Sequence, residues 1–337
     1  MNSEIRESIK SIVRDDIPKG FIKTEAGVIP EDWDATKLGN RMRVFRGASP
    51  RPKGDTRYYG GDIPRLLIED VTRDGKYAYP SIDSLTEEGA KKSRFLPKGS
   101  VVLSCSGTKV GIPGILGIDA CIHDGFFGFD ELDRIDPEFL YYFFGLLNIK
   151  LQSSATRGGV FNNLTTQIMK NLPVGLPEVS EQIKIVEVLS TWDKAIDLKA
   201  QFIEEKKQHK KGLMKKLLTG EVRLPGFESE WREVRIGELI KNKIKKTTAN
   251  NQYQVLSCTK NGIVSQSEHF NKQIASENNI GYKILEKGDL VLSPMNLWLG
   301  GIDISCFQIG IVSPAYKVYS VDYSIVGENY LRNVLRT

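Results

Sequence analysis

LPEVSEQIKIVEVLSTWDKAIDLKAQFIEEKKQHKKGLMKKLLTGEVRLPGF, residues 176–227, runs without Gly or Pro from Glu178 to Lys211 and then meets Gly220 and Pro225. Helical from 178 to 218, it would be about 60 Å long at ~1.5 Å per residue, several times the ordinary helix length. Its apolar residues Ile185, Leu189, Trp192, Ile196, Ile203, Leu213 and Leu217 follow steps of three, four and seven, with seven plus three between Ile203 and Leu213. They keep one seam of period 3.5, the pattern of a helix that pairs with another. Seam positions in between are cationic (Lys199, Lys206, Lys210), which favours one register over maximal stability. An intradomain core helix is the competing reading. The linkers at both ends, each carrying Pro, favour a spacer coiled coil.

Features before this helix return after it. Pro30-Glu31-Asp32-Trp33 is echoed by Phe227-Glu228-Ser229-Glu230-Trp231, LPKGSVVLSCS (96–106) by LEKGDLVLSPM (285–295), and EFLYYFF (138–144) by NYLRNVL (329–335). A common offset of roughly 190 residues marks a duplicated domain. Short apolar runs between Gly and Pro, such as DIPRLLIEDV (62–71), read as strands. DPEFLYYFFGLLNI (136–149) reads as a helix with Asp136 as N-cap and Pro137 at its first position. The expected fold is α+β: two repeated mixed α/β domains separated by a long coiled-coil-forming helix. The divisions are an N-terminal segment 1–26, a first domain 27–175, the helix 176–221 and a second domain 222–337. The equivalent of the helix at 178–218 would fall beyond Thr337, so the second repeat is expected to be incomplete. A natural short form and a boundary within a longer protein would look alike.

The chain has 337 residues, 40% hydrophobic and 26% charged, with net charge +5. This supports real cores in at least two domains and suits an anionic partner where the basic groups cluster. The four cysteines (Cys105, Cys121, Cys258, Cys306) form no C-x2-C pair, and only three histidines occur. Neither a structural zinc site nor a disulfide framework is expected. The N-terminus lacks a signal-peptide core, and no apolar run reaches the ~18 residues of a membrane span. A cytoplasmic protein without membrane contact is expected.

Catalytic motifs are missing. There is no Asn- or Asp-Pro-Pro-aromatic turn for amino-methyl transfer; Asn171-Leu172-Pro173-Val174 lacks the second proline and the aromatic. The phosphate loop G-x-x-x-x-G-K-[ST] is absent. Asp74-Gly75-Lys76 has a nuclease flavour, but Asp-Gly signals a turn. His123 reads as a packing or hydrogen-bonding residue. No catalytic or metal-binding residue is assigned.

Basic, aromatic and small polar residues gather instead where loops belong. RVFRGASPRPKGDTRYYGGD (43–62) holds Arg46, Ser49, Arg51, Lys53, Arg57 and Tyr58; SCSGTKVG (104–111) adds Ser106, Thr108 and Lys109. SSATRGGVFNNLT (153–165) adds Arg157, Asn162 and Asn163, and the second domain contributes Lys245, Lys246, Asn296 and Trp298. Arginine forks suit phosphates and guanine edges, and asparagine pairs with adenine. These are the candidate DNA contacts; the signal is the composition shared by several loops.

On these segments the chain resembles the specificity subunit of type I DNA restriction-modification systems. The likeness lies in GVIPEDWDATKLG (27–39), SPRPKGDTRYYGGDIPRLLIEDV, SCSGTKVGIPG and, most specifically, the spacer-helix segment quoted first. PEVSEQ departs slightly from the commoner Pro-Pro-leading form. The resemblance implies two target-recognition domains, each reading half of a split double-stranded DNA sequence, with a long helix after each and the two helices packed antiparallel. It implies a non-catalytic chain without a cofactor of its own. Two methylation subunits would supply transfer from S-adenosylmethionine, and restriction subunits would use ATP and Mg. With one helix in this chain, two copies would pair through it. A stand-alone DNA-binding or scaffold protein dimerising through that helix is the alternative.

Overall fold

The computed structural model describes residues 17–106, 109–155, 164–269 and 276–336. Thr108, Arg157, Asn162 and Asn163 lie outside the described residues. The chain divides into two compact units, 1–197 and 198–337, with the division inside the long helix.

Among its described residues the first unit holds thirteen strands: β1 (Phe21–Thr24), β2 (Gly27–Pro30), β3 (Asp34–Lys37), β4 (Arg43–Arg46), β5 (Tyr59–Leu66), β6 (Tyr77–Ala78) and β7 (Asp83–Leu85), then β8 (Arg94–Leu96), β9 (Val101–Ser104), β10 (Pro113–Leu116), β11 (Ala120–Ile122), β12 (Phe126–Asp130) and β13 (Pro173–Leu176). One sheet runs β4-β12-β9-β10-β6 and another β7-β5-β11-β8. Strand β9 shows why these runs read as continuously apolar: alternate side chains face opposite sides of a sheet. Val102 packs with Leu66, Leu116 and Ile122 in one core, while Val101 and Leu103 pack with Phe127, Leu140 and Phe144 in the other. Both faces are covered.

The helix Pro137–Ala155 contributes Leu140 and Phe144 to the second core. Its start follows the sequence reading: the Phe139 N–H donates to Asp136 Oδ1 at 2.9 Å. It is described to Ala155, past the expected end at 149, and continues through Gly145.

The long helix spans Val179–Leu218, 40 residues, and continues through Gly212. Gln182, fully buried, fixes its first turn. Its side-chain amide donates to the Arg134 and Pro177 carbonyls and its oxygen accepts the Asp136 N–H. Ile185 and Val186 pack on the first unit's core. Leu189, Trp192, Ile196, Ile203 and Leu213 are exposed, Trp192 by 66%; Leu217 is half-buried. Val188 and Phe202 widen the exposed apolar stripe. Gly220 ends the helix at φ +74°, a conformation that glycine adopts without strain.

In the second unit β14 (Ile240–Asn242), β15 (Leu256–Thr259), β16 (Gly262–Ser265), β17 (Lys283–Glu286), β18 (Leu290–Leu292), β19 (Ile302–Ile304), β20 (Ile309–Val312) and β21 (Lys317–Val321) follow. Its main sheet, β14-β21-β18-β19, repeats β4-β12-β9-β10 with every neighbour antiparallel in both. The pairing of β17 with β20 repeats that of β8 with β11. A parallel bridge from Val255 to Ile311 stands where β5 runs parallel to β11 at Arg65–Cys121. The duplication read from sequence echoes is thus a duplication of strand order and direction.

Candidate nucleic-acid interface

Sheet register decides which loops meet. In the first unit Arg46 lies opposite Phe127 and Ser104 opposite Phe126, so β4 and β9 end where β12 begins. The loops after β4 and β9 and the turn before β12 therefore share one end of the sheet. Backbone bonds tie them: Ala48 N–H donates to the Ile122 carbonyl and Cys105 N–H to that of Gly125. Leu164 N–H donates to the Cys105 carbonyl, bringing the chain just after Asn162 and Asn163 to the same end.

The organising residue is Asp124, which the sequence reading passed over. It accepts a hydrogen bond from Ser49 Oγ and lies 3.8 Å from Arg51, while its carbonyl accepts from Arg46 Nε at 2.5 Å. The Ser49 hydrogen bond is the largest cause of a carboxyl pKa below the ordinary 3.8. Ser49 Oγ accepts in turn from Arg65 at 2.9 Å, and Arg65, only 5% exposed, is also paired with Asp83. Arg46 and Arg51 are thus linked through Asp124 and Ser49 to a buried arginine on β5. Arg65 lies inside a strand and Asp124 in a three-residue turn; only the sheet's three-dimensional closure joins them to residues 46–51.

His123 stays neutral near pH 7. Burial and then the Arg65 charge hold its pKa below the ordinary value, and Nδ1 accepts the Gly125 N–H at 2.8 Å. It packs edge-on against Phe126, consistent with the packing role expected for it.

The remaining candidates separate by exposure. Arg46, Arg51, Lys53, Arg57 and Lys109 are exposed, and Ser106 is half-buried. Arg57 is clamped by Asp55, whose carboxyl it holds at about 2. Tyr58 differs from expectation. It is 5% exposed, the Lys92 ammonium lies 4.0 Å over its ring, and its hydroxyl accepts from Lys92 Nζ. It is held inward by Lys92 and by its own backbone carbonyl, which accepts the Thr86 N–H at 3.0 Å. In the second unit Lys245, Lys246, Asn296 and Trp298 are all exposed, and Lys245 pairs with Glu286 at 3.3 Å.

Asp74-Gly75-Lys76 is a turn, with Gly75 at φ +80°. Asp74 is bound by Arg73 and by the Tyr79 N–H, and Lys76 by Glu138 and Tyr142. No group of three His, Cys, Asp or Glu residues among the described residues is arranged to hold a metal ion. No helix among them is long and apolar enough to cross a membrane.

Comparison with known proteins gives the family of the chain. Residues 30–208, just over half of the chain, match the family described as the type I restriction modification DNA specificity domain. The chain is 32% identical over 184 residues to the type I restriction enzyme MjaIX specificity subunit of Methanocaldococcus jannaschii, covering 53% of this chain and 42% of that protein. It is 29% identical over 217 residues to the MjaVIII specificity subunit of the same organism, covering 61% and 50%. The chain thus spans half or less of the length of these relatives. The HsdS subunit from Thermoanaerobacter tengcongensis superimposes with a TM-score of 0.42 at 18% identity, over 58% of this chain and 45% of that one. On the family match, this chain belongs to the type I restriction modification DNA specificity family.

Proposed function

We propose that the chain reads double-stranded DNA for a type I restriction-modification assembly and carries out no chemistry itself. The observation supporting this most directly is the repeated sheet end. In both units a strand order of one kind presents exposed cations: Arg46, Arg51 and Lys53 in the first, Lys245 and Lys246 in the second. Each unit reads one half of a split target, phosphate contacts setting position and the loop side chains reading base edges. Two methylation subunits supply methyl transfer from S-adenosylmethionine, and restriction subunits supply ATP- and Mg-dependent work. The place of action is the cytoplasm.

The exposed stripe on the long helix is the docking element of this proposal. Its charge is polar along its length. Residues 179–205 carry six acids and three lysines, whereas 206–218 carry six lysines and no acid. A second copy laid antiparallel sets acidic half against basic half, while a parallel copy sets lysines against lysines. Like charges facing across a helix pair are unfavourable, so the self-dimer is antiparallel.

The test is selection from a pool of random-sequence duplexes by the chain with and without its methylation subunit. Enrichment of a split sequence, stronger with the partner, is expected. No enrichment in either case refutes the proposal, and tight specific binding by the chain alone would make it a stand-alone DNA-binding protein.

A further inference from the structure

Between β18 and β19 the second unit carries residues 293–301, at the position filled in the first unit by the polar segment with Ser106 and Lys109 between β9 and β10. Here the tip is apolar. Met295 is 77% exposed and Trp298 81%, with Leu297 and Leu299 beside them about half exposed. Large apolar groups held together in water mark an interaction site.

The tip is a built structure. Asn296 N–H donates to the Ser293 carbonyl, Leu299 and Gly301 N–H both donate to that of Asn296, and Gly300 N–H donates to that of Leu297. Gly300 takes φ +83°, and at Gly301 a Cβ would come within 2.8 Å of the Asn296 carbonyl oxygen. The backbone, not a flexible loop, holds Trp298 outward.

A cationic cluster adjoins this tip. Lys317 is the cross-strand partner of Leu292, the last residue of β18. Lys283 bridges to Lys246 and donates to the Tyr316 carbonyl, next to Lys317. Burial first, then the charges of Lys317 and Lys246, depress the Lys283 pKa, as expected of ammonium groups crowded together. Lys245 follows, shared with Glu286. An anion that also offers flat apolar surface just beneath its charges fits this combination, and duplex DNA has that chemistry.

We infer that residues 295–299 form a wedge that enters a base step of the bound duplex, with Trp298 stacking on a base and Lys246, Lys283 and Lys317 holding the flanking phosphates. This rests on the reading of the chain as a DNA-recognition subunit and gives its two units different means of reading. The first unit offers hydrogen-bonding side chains. The second selects base steps that unstack readily, and bends the DNA there.

The experiment uses the chain assembled with its methylation subunit, on the duplex enriched from the random-sequence pool. The fluorescent analogue aminopurine is placed at successive adenines. The wild-type assembly is expected to raise its fluorescence at one step by unstacking it. Trp298→Ala should abolish that signal and weaken binding about tenfold, the effect of losing one stacked base, and Trp298→Phe should restore most of both. Unchanged affinity and fluorescence in Trp298→Ala would overturn the inference. So would failure of that variant to assemble with the methylation subunit when the wild-type duplex shows no unstacked step, since the tip is then a protein contact. If the wild-type assembly enriches no duplex, the DNA-recognition reading falls and the wedge with it. With Trp298 so exposed, its replacement leaves the fold intact.

Discussion

At the residue scale, Asp124 carries the most informative chemistry of the first unit. An acid among loop cations opposes DNA by charge, yet it orders Ser49 and, through its carbonyl, Arg46. Asp124→Ala should therefore bind mixed-sequence DNA more tightly while losing about 1–2 kcal/mol of discrimination between target and non-target duplexes, a split measurable by competition. Its pKa is depressed in the folded chain, so its contribution is complete above the ordinary carboxylate range. It is lost only as pH falls through the lower, folded value. Loop order followed by amide exchange should survive acidification to pH 3.8, the ordinary value, and fail below it. The thiols give a second residue-scale outcome. Cys105, Cys121 and Cys258 are buried, with Cys258 pushed up to about 12 by burial and the Asp303 charge, while Cys306 is exposed. A thiolate-directed alkylating reagent should label Cys306 alone in the native chain and all four cysteines after denaturation.

At the element scale, the long helix was legible because Gly- and Pro-free length and apolar periodicity are local properties of sequence. The division of labour along it was not. Ile185 sits on the same seam as Leu189 and Trp192, yet it packs into the first unit's core. Only the neighbouring strands and the Gln182 hydrogen bonds decide where docking onto the unit stops and exposure begins. Gln182→Ala strands the Asp136 N–H and two carbonyls in a buried place, so it should cost about 2–3 kcal/mol of stability, read from denaturant midpoints. Ile196→Asp with Ile203→Asp falls on exposed positions. It should change stability by less than ~1 kcal/mol while abolishing self-association in analytical ultracentrifugation. Unfolding of that variant would instead make the stripe part of a core.

At the scale of the whole molecule, three short echoes in sequence announced a repeat that the strand order of the two units bears out. The echoes survive where Gly fixes a turn or an apolar strand fills a core, as in LPKGSVVL and LEKGDLVL. The loops carry no such packing constraint, so composition marked them as a class without ranking their members. Tyr58 matched the class but turned inward, whereas Asp124 and Arg65 lay outside it and organise the site. The central claim is that this chain chooses the DNA sequence on which a methylation subunit acts. The most direct measurement is methylome sequencing of cells that carry the cognate methylation subunit, with wild-type chain, with Arg46→Ala and Arg51→Ala combined, or with no chain. The account predicts a split adenine-methylated motif that requires the chain and becomes degenerate at fixed positions in the variant. A methylation pattern indifferent to the chain's presence would contradict it.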